Sequence, residues 1–471
     1  MVGTYVFSGR PRVVANLIGA AMVCVALHQV LKAISGKDWS IYWFLILFTW
    51  RYLRLAAHLI SFWCYKPARL KRGAQPTYTP NRDVTVILPT IDPRGEDFQE
   101  CLRTCAENSP AAIIIVTAGD ELRAQTVEAV EPYIAQFPQT RFQIERTFIA
   151  SKRAQVALVV PFVTTRITVM LDDHVFWGPS VLQSVLLPFE NPKVGMIGTN
   201  KKARRLPNLN PWRRLWNVFG ALYLERHNFE IRASNAIDGG VFVVSARTCA
   251  MRTEILQHPE YLPRYQREMF FFEKFGPLNP DDDNYNTRFV VRHGWQVKIQ
   301  YTPESEVETT VGVANPVHKK FLSQCQRWAR TTWRSNSCSL FTDRSIWEYQ
   351  PWCVYAVFLT SFTNFALFID AGLAYLLMRT PWYTAYPKLS LVCLAGWILL
   401  AKLVKVWAYF TRYLQDIWLF PFHLLFGYFH SFLKLWALLT FWDCAWSGRN
   451  LSGINVDNGP DDDDNNGNDQ D

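Results

Sequence analysis

The apolar residues of this 471-residue chain are gathered at its two ends, and that division constrains the fold more than any single motif. Val13–Leu31 and Trp39–Tyr65 precede a long polar body, and Pro351–Met378, Lys388–Tyr409 and Ile417–Phe441 follow it. Each block is near or above the ~20 residues that a bilayer core requires of a helix. A chain so arranged reads as a polar domain inserted between membrane helices. Aromatics, at 15% of the sequence, are high for a soluble protein. No cleavable signal pattern appears, so the first block reads as a retained anchor. The last block holds Pro421 and leaves three readings open: one tilted span, a broken helix or a close pair, hence five or six crossings.

Charge orients the arrangement. Lys66, Arg69, Lys71 and Arg72 follow the second block, which by the positive-inside rule places the body in the cytosol. Within that block Arg51, Arg54 and His58 fall at i, i+3 and i+7, on one helical face. Charges at membrane depth face protein or water, so the stripe either lines a path through the helices or snorkels to one leaflet. The formal net charge is +9 although the tail beyond Gly453 is acidic. That excess suits a lipid surface and a nucleotide diphosphate; with no nucleic-acid motif, nucleic acid is not an expected partner. Ten cysteines without a C-x-x-C pair argue against a zinc site or disulfide framework and suit a reducing cytosol. The aspartate-rich tail reads as solvated and disordered.

In the body, Asp83–Pro89, Ile113–Thr117 and Thr168–Leu171 are short β-rich runs, with a helix-like segment Phe98–Asn108 between the first two. Strands alternating with helices predict an α/β domain on a mostly parallel sheet, with ligand at the strands' carboxyl ends. Pro211–Tyr223 carries Trp212, Leu215, Trp216 and Phe219 at helical period, interrupted by Arg213 and Arg214. It reads as a helix in the membrane interface or as one facing the core. A helix over Lys319–Ser335 is expected to lie against the bilayer in the same way.

Three constellations carry chemistry. Asp172-Asp173-His174 ends an apolar strand, where carboxylates bind a divalent cation on a diphosphate. Asp281-Asp282-Asp283 opens a helix-like run, where aspartate also serves as an N-cap. In Gln324-Cys-Gln-Arg327-Trp328 the named residues fall at i, i+3 and i+4, so an amide, a phosphate-clamping guanidinium and a flat indole share one helical face.

In this order, these motifs resemble those of the processive family-two glycosyltransferases, the hyaluronan, cellulose and chitin synthases. The likeness is nearest to hyaluronan-synthase-like and fungal capsule-type polysaccharide synthases, and it covers most of residues 80–450. The resemblance implies a cytosolic GT-A-type domain in a multi-pass plasma-membrane protein that uses a UDP-sugar and Mg2+ or Mn2+ to elongate a polysaccharide. It implies that Asp173 is the metal ligand, with His174 as second ligand or support and Asp172 on the nucleotide; in the alternative register Asp172 and His174 fill the two metal positions. It makes Asp283 the general base, giving an inverted product, and Asp282 the supporting acid. Leu88-Pro89-Thr90 resembles the strand end that grips uridine, and Lys152 the lysine that touches the nucleotide. Asp120 is the displaced counterpart of a base-contacting aspartate. Asp238-Gly239-Gly240 with Arg247 resembles the loop beneath the acceptor, and Gln324, Arg327 and Trp328 the acceptor-end motif. Trp446-Ser447-Gly448-Arg449 resembles a segment on the catalytic side, which with Pro421 favours six crossings; Asn450-Leu451-Ser452, the single glycosylation sequon, reports on the tail's side.

The implied boundaries are a cytosolic terminus over 1–12, two membrane helices over 13–65, a catalytic domain over 66–317 and an interfacial region over 318–350. Three or four membrane helices over 351–446 and a tail over 447–471 complete the chain. Two rivals remain: a non-processive enzyme with a lipid acceptor, of ceramide glucosyltransferase or polyprenyl-phosphate type, and a transporter or channel with a soluble regulatory domain. The absence of internal repeats weighs against the latter.

Overall fold

The computed structural model describes His28 and residues 39–444. The first apolar block apart from His28, the Trp446–Arg449 segment, Asn450 and the acidic tail lie outside the described residues.

The apolar runs of the body become the buried centre of a seven-stranded sheet. Its strands are β1 (Val84–Pro89), β2 (Ala112–Ala118), β3 (Arg141–Thr147), β4 (Ile167–Leu171), β6 (Val194–Thr199), β8 (Thr248–Arg252) and β9 (Gln296–Gln300), in the order β3-β2-β1-β4-β8-β6-β9. All are parallel except β8, which runs against both β4 and β6. Strands covered on both faces need apolar residues at every position, and β1, β2 and β4 are buried throughout. Alternate side chains supply the two faces. Ile87, Ile114 and Met170 pack with Val156 and Val159 of α4 (Lys152–Val159). Val86, Leu88, Ile113 and Val169 pack with Phe98 and Leu102 of α2 (Glu96–Glu107) and Val130 of α3 (Gly119–Gln136). A second sheet, β5 (Val175–Trp177), β10 (Val307–Thr309) and β7 (Lys201–Ala203), lies in the order β5-β10-β7. The α/β expectation with a mostly parallel sheet therefore holds.

The other long helices among the described residues are α1 (Trp39–Cys64), α5 (Pro211–Asp238), α6 (Asp282–Arg292), α7 (Val317–Ser337), α8 (Pro351–Thr363), α9 (Ala366–Leu377), α10 (Pro387–Leu403) and α11 (Phe420–Leu438). Two expectations change here. The Pro211–Tyr223 segment is the first half of a 28-residue helix whose Trp216, Phe219 and Leu222 pack with Phe321 of α7 and Phe410, so this half is largely core rather than interfacial, although Trp212 stays exposed. In the final apolar block Phe420–Leu438 is one α-helix, directly preceded by a 3-10 helix over Leu414–Leu419: Pro421 sits in the first α-helical turn, where a missing N–H removes no intrahelical bond, so it does not divide the block into a close pair. The break falls instead between α8 and α9, which bend by 89°. Among the described residues no single helix is long and apolar enough to cross a membrane; the α8–α9 pair passes that test only together.

These helices turn their charges inward. Arg54 donates to the Ala356 carbonyl and the Thr360 hydroxyl, each at 2.9 Å, and lies 3.7 Å from Glu230. Arg51 bonds Asn364, Lys402 reaches Asp370 at 2.7 Å, and Lys434 donates to the carbonyls of Ser361 and Asn364 rather than to a carboxylate. Large apolar residues point outward instead, including Trp43, Ile60, Val392, Leu425 and Trp436.

Candidate active site

The chain lays β1, β2 and β3 outward on one side, then returns to place β4 on the other side of β1. The gap between β1 and β4 is thus the point where strand order reverses, and a crevice opens outside the carboxyl ends there. Ile87 pairs with Met170 across these strands, which brings Thr90 level with Asp173. The Thr90 hydroxyl donates to Asp173 Oδ2 at 2.9 Å, and His174 Nδ1 lies 3.3 Å from Asp173 Oδ1. Asp172 instead meets Lys152, the first residue of α4, at 2.7 Å. Lys152 Nζ also lies 3.1 Å from Asp282 at the start of α6, so one ammonium ties three elements together. Burial pushes the Asp172 carboxyl up, but Lys152, His174 and Arg247 together more than offset this and hold it at about 2. The same carboxylates raise Lys152 against its own burial.

The three consecutive aspartates take three different tasks. Asp281 is buried against the equally buried Arg334 of α7, accepting from Nε at 2.8 Å and Nη2 at 2.9 Å, and from the Thr331 hydroxyl at 2.6 Å. Asp282 faces Lys152. Asp283 accepts from the backbone and side-chain nitrogens of Asn284 at 2.8 and 3.0 Å, and Thr287 fixes its carbonyl at 2.9 Å. Burial first, then repulsion by Asp282, push the Asp283 carboxyl up to about 7, against the attraction of Lys152 and Arg327. A carboxyl poised near neutrality suits proton abstraction.

These groups open onto a cavity of about 860 Å³. Thr90, Lys152, Asp172, Asp173, His174, Asp282, Asp283, Gln324, Arg327 and Trp328 all line it, so the structure gathers ten of the expected site residues. The cavity continues between the helices past Arg54 and His58 of α1, Glu230 of α5, Lys405, and His430 and Lys434 of α11. The Arg51, Arg54 and His58 stripe thus faces a space inside the protein. The Trp328 ring is stacked on Tyr223, centroids 4.7 Å apart, so one indole face is already taken.

Three expected residues stand apart. Asp120 is exposed at the start of α3, paired with Arg146, and does not line the cavity. Gly239 and Gly240 do not line it either. Gly239 is the left-handed cap of α5, and a Cβ on Gly240 would lie 2.3 Å from Cys353 Sγ. The loop is small in order to pack: Asp238 accepts from the Cys353 backbone N–H at 3.0 Å. Conversely, Lys201 was not anticipated as a site residue. It lines the cavity from β7, and burial, then Arg247, lower its ammonium to about 7. In sequence it is one member of a basic run whose other members face elsewhere.

Among the described residues no group of three or more His, Cys, Asp or Glu is placed to hold a metal ion alone. Asp173 and His174 offer two adjacent donors, a set that fits a divalent cation completed by diphosphate oxygens and water. With Asp172 engaged by Lys152, the register with Asp173 as ligand is the better fit.

A family model described as "Glycosyltransferase like family 2" matches residues 80–331. The chain is 39% identical over 422 residues to a "Type 2 glycosyltransferase" of Gibberella zeae, covering 88% of this chain and 76% of that protein. It is 30% identical over 291 residues to "NDP-glycosyltransferase ltbB" of Aspergillus luteorubrus, covering 61% of this chain and 68% of that one. The mannosyltransferase PcManGT of Pyrobaculum calidifontis, solved with GDP-Man and Mn2+, aligns with a TM-score of 0.44 at 17% identity over 77% of this chain and 98% of its own, a likeness too loose to carry an inference.

Proposed function

The chain belongs to glycosyltransferase family 2, and from that premise we propose that it transfers a hexosyl group from a UDP-sugar, with inversion, to a hydroxyl of a growing polysaccharide, which it passes through its own helices. The observation that carries this reading is the single cavity that joins Asp173 and Asp283 to the charged interior of the helical region. A lone acceptor would need a pocket; a chain that grows needs a way out.

Asp173 and His174 would hold Mg2+ or Mn2+, which when bound neutralises the donor diphosphate. Thr90 fixes the Asp173 carboxylate, and Lys152 keeps Asp172 ionised beside the nucleotide and ties it to Asp282, 3.1 Å away. Asp283 takes the proton of the acceptor hydroxyl as its oxygen bonds the anomeric carbon and the bond to the diphosphate breaks, so UDP leaves from the opposite face. Gln324, Arg327 and the free face of Trp328 position the acceptor end. The helical region is read as embedded in the plasma membrane with the α/β domain in the cytosol. Its inward charges and outward apolar residues support this, since lipid solvates neither charge nor unpaired backbone. Purified protein in detergent, supplied with each UDP-sugar and Mg2+ or Mn2+, should yield product that lengthens with time. A product that stops at one sugar on an extractable lipid would replace polysaccharide elongation with the lipid-acceptor reading.

A further inference from the structure

Between β8 and α6 of the α/β domain, residues Met269–Phe275 form a hairpin with no place in the chemistry above. The N–H of Phe270 donates to the Phe275 carbonyl at 2.7 Å, and the N–H of Phe275 returns to Phe270 at 3.1 Å. Its base is held firmly: Glu268 bonds both Arg153, next to Lys152, and Arg288 of α6. At the tip Phe271 is 51% and Phe272 88% exposed. Phe271, Phe272 and Glu273 all have left-handed φ, 54°, 54° and 61°, a conformation that side chains with a Cβ avoid. Phe271 is half covered by the Phe270 and Phe275 rings, but within the described residues Phe272 gains almost no burial from this strain, and the benefit of its placement lies outside them.

What lies outside is indicated by the hairpin's anchor. Phe270 and Phe275 both pack edge-on against Phe441, at 5.7 and 5.6 Å, just past the end of α11. Trp442, also exposed, packs on the same ring. The outward residues of α11, Phe429, Phe432, Trp436 and Leu439, form the apolar face that the proposed function turns to lipid. The hairpin is therefore fixed to the end of a lipid-facing helix, the level at which aromatic residues settle in a bilayer. We propose that the Phe271–Phe272 tip seats in the headgroup–acyl boundary of the membrane leaflet on the catalytic side. This rests on the membrane reading of α11. Because Glu268 joins the hairpin to Arg153, next to Lys152, and to Arg288 of α6, the tip fixes the catalytic elements at a set height above the lipid.

The test is photo-crosslinking of the full-length enzyme in lipid nanodiscs, with a benzophenone side chain replacing Phe272, Phe271, Trp436 or, as a blank, the exposed Val127 of α3. Turnover of each variant checks that it is folded. Phospholipid adducts, read as a mass shift on the labelled peptide, are expected at 272, 271 and 436 and not at 127. Adducts at 436 with none at 271 or 272, or tip adducts to the segment beyond Cys444 or to a second chain, would overturn the tip proposal and leave the membrane reading standing. No lipid adduct at 436 would overturn the membrane reading and the proposal with it.

Discussion

At the sheet end of the cavity one cation, Lys152, stands between two carboxylates, 2.7 Å from Asp172 and 3.1 Å from Asp282. At the helical end the balance reverses: Arg54 and Lys405 share Glu230, Arg51 and Lys402 share Asp370, and Lys434 meets the Ser361 and Asn364 carbonyls and the Trp333 and Phe365 rings rather than a carboxylate. The first arrangement leaves one carboxyl, Asp283, raised to about 7 and available for a proton. The second leaves an excess of cationic donors on the cavity wall. On the proposed function, buried charge in one cavity serves chemistry at one end and contact with a polar chain at the other, and variants at the two ends should fail differently.

The largest loss is expected from Asp283→Asn, about 10²–10⁴-fold in transfer, the range for removal of a general base, with UDP binding nearly intact. The same carboxyl sets the pH profile of the wild type: as pH falls through about 7 it becomes protonated, and transfer should fall with it, flat profiles between pH 6 and 8 speaking against the assignment. Two residues earlier the outcome should be structural. Asp281→Ala strands the buried Arg334 and should lower stability by about 3–5 kcal/mol, read as a drop in Tm; an unchanged Tm with lost activity would make Asp281 chemical.

Next comes the metal pair. Asp173→Ala should abolish metal-dependent UDP binding, whereas His174→Ala should weaken it by about 10–100-fold, as for a supporting group, and shift the Mg2+/Mn2+ preference. A greater loss from His174→Ala would restore the other register. The smallest effect on chemistry is expected at the passage. Trp328→Ala and Arg54→Met should shorten product while donor hydrolysis persists; product equal to wild type in length and rate would remove both from the acceptor path.

How much of this was legible in sequence follows from how each part is solvated. Strands β1, β2 and β4 are apolar at nearly every position, so they stand out. β3 (Arg-Phe-Gln-Ile-Glu-Arg-Thr) and β9 (Gln-Val-Lys-Ile-Gln) are edge strands whose exposed sides carry polar residues and blur the signal. Asp172, Asp173, Asp282, Asp283 and Gln324-Arg327-Trp328 stood out because the chemistry proposed for them needs those residue types, and the structure places them on one cavity. Lys201 was hidden in a basic run, and Gly240 misled because a glycine forced by Cys353 reads the same as one forced by a ligand. Pro421 misled in the same way, since a proline in a first turn and one at a break look alike until the helix is seen.

The most direct test of the central claim uses sealed vesicles carrying the protein with its catalytic domain outward and labelled UDP-sugar added outside. A labelled polymer is expected that grows with time, stays inside the vesicles and is released only by detergent. Labelled product confined to the outer solution, or a single sugar extracted with lipid, would contradict it.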